Sequence, residues 1–194
     1  MMHSYGVVVE GDYDGSVFEE IIRKICPDAH DTKVLIAGGS AQVMKKFLGL
    51  LRGLEHVSSQ GGPVEKALVI RDADCKDPAV IEAEMKRSAE ARTFSFPAGV
   101  SFHVVKQEME TWLLADPEAI NSVAASRCKR SPARVPDPLE EIQDPKGKLM
   151  AVLSQSGLNY TAAVCREIAK EIDLRKLRIR CPSFQAFEQK VLDP

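Results

Sequence analysis

Apolar residues in the first part of the chain come in short unbroken runs, separated by stretches with a helical period. Tyr5-Gly-Val-Val-Val-Glu-Gly11 is β-branched and does not alternate, which predicts a strand buried on both faces. From Asp14 to Cys26 the positions Val17, Phe18, Ile21, Ile22 and Ile25 follow a helix, with Asp14 or Ser16 as N-cap and Pro27 past its end. Lys33-Val-Leu-Ile-Ala-Gly-Gly39 is a second strand. Ser40 then caps a helix through Val43, Met44, Phe47, Leu50, Leu51 and Leu54, and Ser58 to Pro63 reads as a flexible loop.

A third apolar run, Ala67 to Ile70, leads into Arg71-Asp-Ala-Asp74, and Asp77-Pro78 starts a charged helix to about Arg92. Val100 to Val105 is a fourth strand. It passes into a helix over Lys106 to Asp116, in which Trp112 between its leucine neighbours is expected as a core anchor. Strands alternating with helices predict an α/β fold with a mainly parallel sheet of about four strands. Beyond Pro117 the strand pattern stops. Ser126 to Pro136 reads as a basic loop, and helices are expected over Pro145–Ser154, Thr161–Ile172 and Pro182–Leu192. The division expected is an α/β domain over 1–118, with the loop and a small helical cap over 119–194 packed on it.

Composition changes this picture little. With 44% apolar and 28% charged residues the chain is an ordinary globular one, and no apolar run approaches the roughly 18 residues of a membrane span. No basic segment precedes an apolar one at the N-terminus, so no signal peptide is expected and the cytoplasm is the expected compartment. Five cysteines without a C-x-x-C pair, and four histidines without ligand spacing, argue against a disulfide framework and a zinc site. Charge is uneven: residues 1–126 carry 13 Lys+Arg against 19 Asp+Glu, and residues 127–194 carry 13 against 9. An acidic first part suits a cation. A basic second part, with Arg127, Lys129, Arg130 and Arg134 close together, can meet phosphates, although solvated helix faces account for some of it.

The candidate chemistry sits at strand ends. Asp72 and Asp74, spaced i, i+2 after a strand, point to one side of an extended chain and offer hard oxygen ligands where parallel sheets collect ligands. A polar strand end closed by an Asx turn is the plain alternative. Glu10 ends the first strand and can join them. Carboxylates crowded in one cleft repel each other unless a cation neutralises them, which makes Mg²⁺ or Mn²⁺ the natural occupant. Gly38-Gly39-Ser40 lacks the spacing of a P-loop or a dinucleotide fingerprint and is expected to be a packing turn. Glu108 and Glu110 follow strand four. They either complete a second metal site, with one of them facing the cleft, or decorate an exposed helix start.

Val8-Val-Glu-Gly-Asp-Tyr-Asp14 followed by a helix, together with Val69-Ile-Arg-Asp-Ala-Asp74, resembles the toprim domain of topoisomerases, bacterial primases and OLD-family nucleases. The stretches Glu108–Asp116, Asp144-Pro-Lys146 and Arg180–Phe184 resemble an uncharacterised bacterial toprim-like family related to RloB and OLD proteins. The resemblance implies a metal-dependent phosphodiesterase, with Glu10, Asp72 and Asp74 catalytic, Asp14 as a further metal ligand and Mg²⁺ or Mn²⁺ as cofactor; Glu110, by its place after strand four, is the further ligand expected from the residues themselves. The resemblance also implies nucleic acid as substrate, a role in phage defence, and a separate ABC- or AAA-type ATPase partner, since the chain has no P-loop. OLD-like enzymes use a lysine near the metals, which spacing leaves open among Lys106, Lys146 and Lys148. The topoisomerase tyrosine domain and the primase zinc module are absent from the pattern, so strand transfer and primer synthesis are not expected. A non-catalytic toprim-like subunit binding a partner or nucleotide, or a ribosomal-RNA-maturing ribonuclease, are the other readings.

Overall fold

Four parallel strands lie in the order β2-β1-β3-β4: β1 is His3–Val9, β2 Ala29–Ile36, β3 Lys66–Asp72 and β4 Val100–Val105. They belong to a computed structural model that describes residues 3–129, 133–135 and 137–193. The predicted α/β sheet of about four strands is found. The second strand starts earlier than its apolar run because Ala29 already pairs with His3, and as an edge strand β2 tolerates the polar residues Asp31, Thr32 and Lys33.

Both faces of the sheet are buried, as the unbroken apolar runs require. Alternation divides each central strand between two cores. Val7, Val9, Leu68 and Ile70 face a core built with helix α1 (Asp12–Ile25) and the C-terminal helices. Val8, Ala67 and Val69 face a second core built with α2 (Ser40–Gly61) and α3 (Pro78–Ala89). Gly6 is glycine because α2 crosses close by: a Cβ there would lie 2.7 Å from Leu54 Cδ1. The expected loop at Ser58–Pro63 is instead the end of α2, which continues to Gly61.

After β4 the chain forms α4 (Glu110–Leu113), α5 (Pro117–Ser126), α6 (Pro145–Gln155), α7 (Ala162–Glu171), α8 (Leu174–Arg180) and α9 (Phe184–Leu192). The helix expected over Lys106–Asp116 is a single turn, and α5 and α8 are not legible in the periodicity. Asp116 explains α5. Its carboxylate accepts an N–H from Glu118 and Pro117 takes the first helical position, the same device by which Asp77-Pro78 starts α3 and Asp144-Pro145 starts α6. Asp116 also accepts the Asp173 N–H at 2.9 Å and the Lys176 ammonium at 2.7 Å, so this buried carboxylate ties α5 to α8.

The C-terminal helices share one apolar core with β1, β3 and α1. Trp112 is fully buried at its centre, edge-on to Phe18 at 5.5 Å and to Phe184 at 5.0 Å between ring centroids. Such pairs add about 0.5–1.5 kcal/mol each beyond their burial. Glu20, buried on α1, is met by Arg166 from α7 at 2.6 Å and by Arg23 at 2.7 Å, a link between the two helices that the sequence does not announce. Cys26, Cys165 and Cys181 are buried, Cys75 and Cys128 are exposed, and all five are free thiols.

His103 on β4 lies against Phe187 and Trp112, with neither ring nitrogen hydrogen-bonded among the described residues. Burial, with Lys190 nearby, pushes its pKa down to about 3. Its neutral form therefore adds stability that is full above the unfolded value of about 6.5 and is lost as pH falls towards the folded value. Replacing the ring with a hydrocarbon of the same shape removes two unpaired polar atoms. His103→Phe is expected to gain about 1 kcal/mol in urea unfolding at pH 7, and a larger gain at pH 5. Lower stability at both pH values would show that the imidazole nitrogens are hydrogen-bonded in solution.

Candidate functional site

At the carboxyl ends of the strands a cleft of about 460 Å³ opens, and its walls carry seven carboxylates: Glu10, Asp12, Asp14, Asp72, Asp74, Glu108 and Glu110. Tyr13, Tyr160, Ile36, Gly38, Gly39 and Lys146 complete the lining with Gly11. The topology accounts for the meeting. β1 and β3 are hydrogen-bonded neighbours, so the residue after β1 and the last residue of β3 arrive side by side. Glu10 Oε1 accepts the Asp72 backbone N–H at 3.0 Å. The expected Glu10, Asp72 and Asp74 are thus brought to one place, with Asp14 and Glu110 beside them.

The two aspartates of the D-x-D reach the cleft differently from the sequence expectation. Asp72 ends β3 and is partly buried, whereas Asp74 lies past the strand with a left-handed backbone, φ +48°, and is exposed. The i, i+2 alternation of a strand therefore does not place Asp74. Hydrogen bonds do: the Ala73 and Asp74 N–H groups donate to the Gln107 carbonyl at 3.0 and 3.2 Å, tying the loop after β3 to the loop after β4. Gln107 is left-handed as well, φ +68°. Left-handed non-glycine residues carry strain and gather where the surrounding structure fixes a functional loop.

Asp14 is not the N-cap of α1. That place belongs to Gly11, whose N–H donates to Asp14 Oδ2 at 2.9 Å. Gly38 and Gly39 donate both N–H groups to the Glu10 carbonyl at 2.9 Å, so the glycine turn positions the backbone of Glu10, as a packing turn should, and leaves those donors satisfied. Glu108 and Glu110 both line the cleft, against the expectation of one. Nor is Glu110 on an exposed helix start: it is buried and accepts the Tyr160 hydroxyl, while Glu108 accepts the Lys146 N–H at 3.0 Å. Of the three candidate lysines only Lys146 lines the cleft, its ammonium 5.5 Å from the Tyr160 ring centre. Lys106 is paired to Glu140 at 3.2 Å. Tyr13 and Tyr160, stacked at 4.7 Å, give no signal in the sequence beyond Tyr13 lying inside the Glu-Gly-Asp-Tyr-Asp motif.

The crowding shows in the acidities. Burial, with the charges of Asp14 and Asp74 added, pushes Glu10 up to about 7, against the pull of the Asp72 N–H. Burial and Glu110 push Asp14 up to about 6. Asp72 is raised well above the ordinary range by burial and by Asp14, Glu10 and Glu110. Such a set is chemically suited to a hard divalent cation, being all oxygen and short of positive charge. Among the described residues, however, no three acidic, histidine or cysteine side chains already stand as a metal-holding group.

The basic residues expected to meet nucleic acid lie elsewhere. Arg127 is paired with Glu167 of α7 at 2.8 Å, Lys129 and Arg134 are exposed, none of the three lines the cleft, and Arg130 lies outside the described residues. Among the described residues no helix is long and apolar enough to cross a membrane.

No curated protein matches the sequence. Among solved structures, the C-terminal region of the OLD protein of Xanthomonas campestris pv. campestris matches 96% of this chain and 94% of its own, at 11% identity and a TM-score of 0.44. A family model described as a domain of unknown function matches residues 9–192, which take in three of the four strands, every cleft residue from Glu10 to Tyr160 and the helical layer, and the chain therefore belongs to that family, DUF4276.

Proposed function

We propose that the chain is a metal-dependent phosphodiesterase of the toprim type, acting on nucleic acid. The observation that carries this reading is the convergence of Glu10, Asp72 and Asp74, the residues of the toprim-like motifs, in one cleft with Asp14 and Glu110. These five carboxylates are the groups that would hold Mg²⁺ or Mn²⁺. A cation bound there supplies charge neutralisation to a phosphodiester and acidifies a bound water.

The protein's own residues do the rest. Glu10, at the end of β1 in the cleft, is the carboxylate that would take a proton from a nucleophile if it is not itself held by the cation. Lys146 is the cationic side chain of the cleft and fits a non-bridging phosphate oxygen. The Tyr160 hydroxyl donates to one oxygen of Glu110 and so holds this carboxylate at the cleft wall. Arg127, Lys129 and Arg134 would steer nucleic acid from outside it, joined in this role by Arg130, and an ATPase partner in phage defence, suggested by the OLD-like motifs, would be a separate chain.

The test is hydrolysis of labelled single- and double-stranded DNA and RNA by the purified protein with Mg²⁺ or Mn²⁺ over a salt series. Metal-dependent cleavage is expected. Replacing the four basic residues with Gln is expected to flatten the salt dependence by up to about 0.9 log unit for each duplex phosphate no longer neutralised, without slowing saturated turnover. One observation favours a second reading, a binding subunit without turnover: the Asp14 and Glu110 carboxylates each already hold an internal hydrogen bond. Tight binding without cleavage of any of the four substrates would select it.

A further inference from the structure

Resting on the reading of the cleft as a nucleic-acid site, we propose that Tyr13 and Tyr160 form a stacking platform for an unpaired base, so that the cleft takes single-stranded or frayed ends rather than an intact duplex. The rings lie nearly parallel, 12° apart with centroids at 4.7 Å, and both line the cleft. Trp112, Phe18, Phe47, Phe184 and Phe187 are fully buried, whereas both tyrosines are only partly so, and Phe94, also partly buried, lies away from the cleft.

Tyr160 is fixed on three sides. Its hydroxyl donates to Glu110, one face carries Tyr13, and the Lys146 ammonium sits 5.5 Å from its ring centre. Tyr13 stacks on Tyr160 and, partly buried, packs against the core beneath. Among the described residues its hydroxyl has no hydrogen-bond partner, and no other ring or cation lies over it. A hydrogen-bonded ring beside one without a polar tether, both partly exposed at the cleft, is an arrangement on which a flat π-system can stack.

The charge of the cleft favours such a contact. Lys146 is the one cationic side chain among its described lining residues, so apart from a bound cation the protein offers phosphate few contacts there. Stacking is indifferent to that charge. Ile36, 44% exposed at the same cleft, adds apolar surface of the kind that sits beside a base or sugar. A cleft of about 460 Å³ is the size of a small-ligand pocket, and a base reaches a stacking ring only when it has left its own stack.

The test uses a six-nucleotide single strand carrying 2-aminopurine, whose fluorescence is quenched on stacking, and the same strand within a longer duplex, both in millimolar Ca²⁺. The wild type is expected to quench and bind the single strand and to leave the paired probe bright. Tyr13→Leu should bind the single strand about tenfold more weakly and lose the quench. Tyr13→Phe should match the wild type, and Tyr13→Trp should match or exceed it, which shows that the site survives substitution. Unchanged affinity and quench in Tyr13→Leu, or no quench by the wild type at tens of micromolar, overturns the platform and leaves the pair as packing between α1 and the segment before α7. Quenching that depends on Tyr13 without hydrolysis of any substrate would instead remove the nuclease reading and keep the platform. Cleavage with an unaltered strand preference in Tyr13→Leu would do the reverse.

Discussion

Asp72→Asn is expected to lower nucleic-acid hydrolysis by at least about a thousandfold, the scale on which removing one group of a metal or acid–base site acts. The folded chain should survive, with a metal-free melting temperature that is unchanged or higher. The side chain has the same shape, and the hydrogen bond linking this position to Glu10 is made by the Asp72 backbone N–H, which the substitution keeps. What disappears is a charge pressed by Asp14, Glu10 and Glu110. Activity and thermal melts of the same preparation measure both effects. A variant that cleaves normally but melts lower would make Asp72 an ordinary strand end.

Mg²⁺ or Mn²⁺ is expected to raise the melting temperature by roughly 5–10 °C at a hundredfold excess over its dissociation constant, from about 2.7 kcal/mol of linkage. The effect should grow with pH. Glu10 and Asp14 are raised above their unfolded values to about 7 and about 6, and Asp72 is raised too, so the folded cleft holds more protons than the unfolded chain. Metal-free stability from these groups is therefore full below about pH 4 and is lost as pH rises through the folded values. A cation competes with those same protons. Its stabilisation should be small at pH 5 and largest at pH 8, measured by melts with and without Mn²⁺ at each pH. A shift independent of pH would place the ion away from these carboxylates. His103→Phe is the background in which to measure this, because the buried imidazole contributes a slope of opposite sign over part of the range.

The parts of this molecule that are legible in the sequence are those whose cause is local. Short apolar runs mark all four strands, unbroken at Val7–Val9, Val34–Ile36 and Ala67–Ile70 and interrupted by Ser101 and His103 in β4, because a strand buried on both faces needs no polar alternation, and the acidic strand ends follow from them. What cannot be read depends on distant partners. α5 is hidden although Asp116-Pro117 is one of three Asp-Pro helix starts, with those of α3 and α6, because the same aspartate also closes the preceding helical pattern. α8, with four basic residues in seven, has little apolar period, and it is held instead by Asp116, Glu188 and the carbonyls around Arg180. In the site, Lys146 is one of three equivalent candidates by spacing, and only the fold, through Glu108 and Tyr160, singles it out. Tyr160 has no sequence signal, since it lies 147 positions from the Tyr13 ring it covers.

Arg180 donates to the carbonyls of Leu114, Ala115 and Val135, and the Tyr5 hydroxyl donates to the carbonyl of Val191. The wall of the cleft that carries Glu108 and Glu110 is thus anchored from residues some 70 positions later, and the first strand is latched by the last helix. On a ribosome, which delivers the chain from the N-terminal end, the sheet with Glu10, Asp72 and Asp74 emerges long before Lys146, Tyr160 and the Arg180 clamp. A nascent chain therefore holds the repelling carboxylates before it holds their cation or their wall. The acidic centre is completed only at the end of synthesis, and a ribosome stalled near position 140 would display a sheet whose α1 side still lacks α6, α7, α8 and α9.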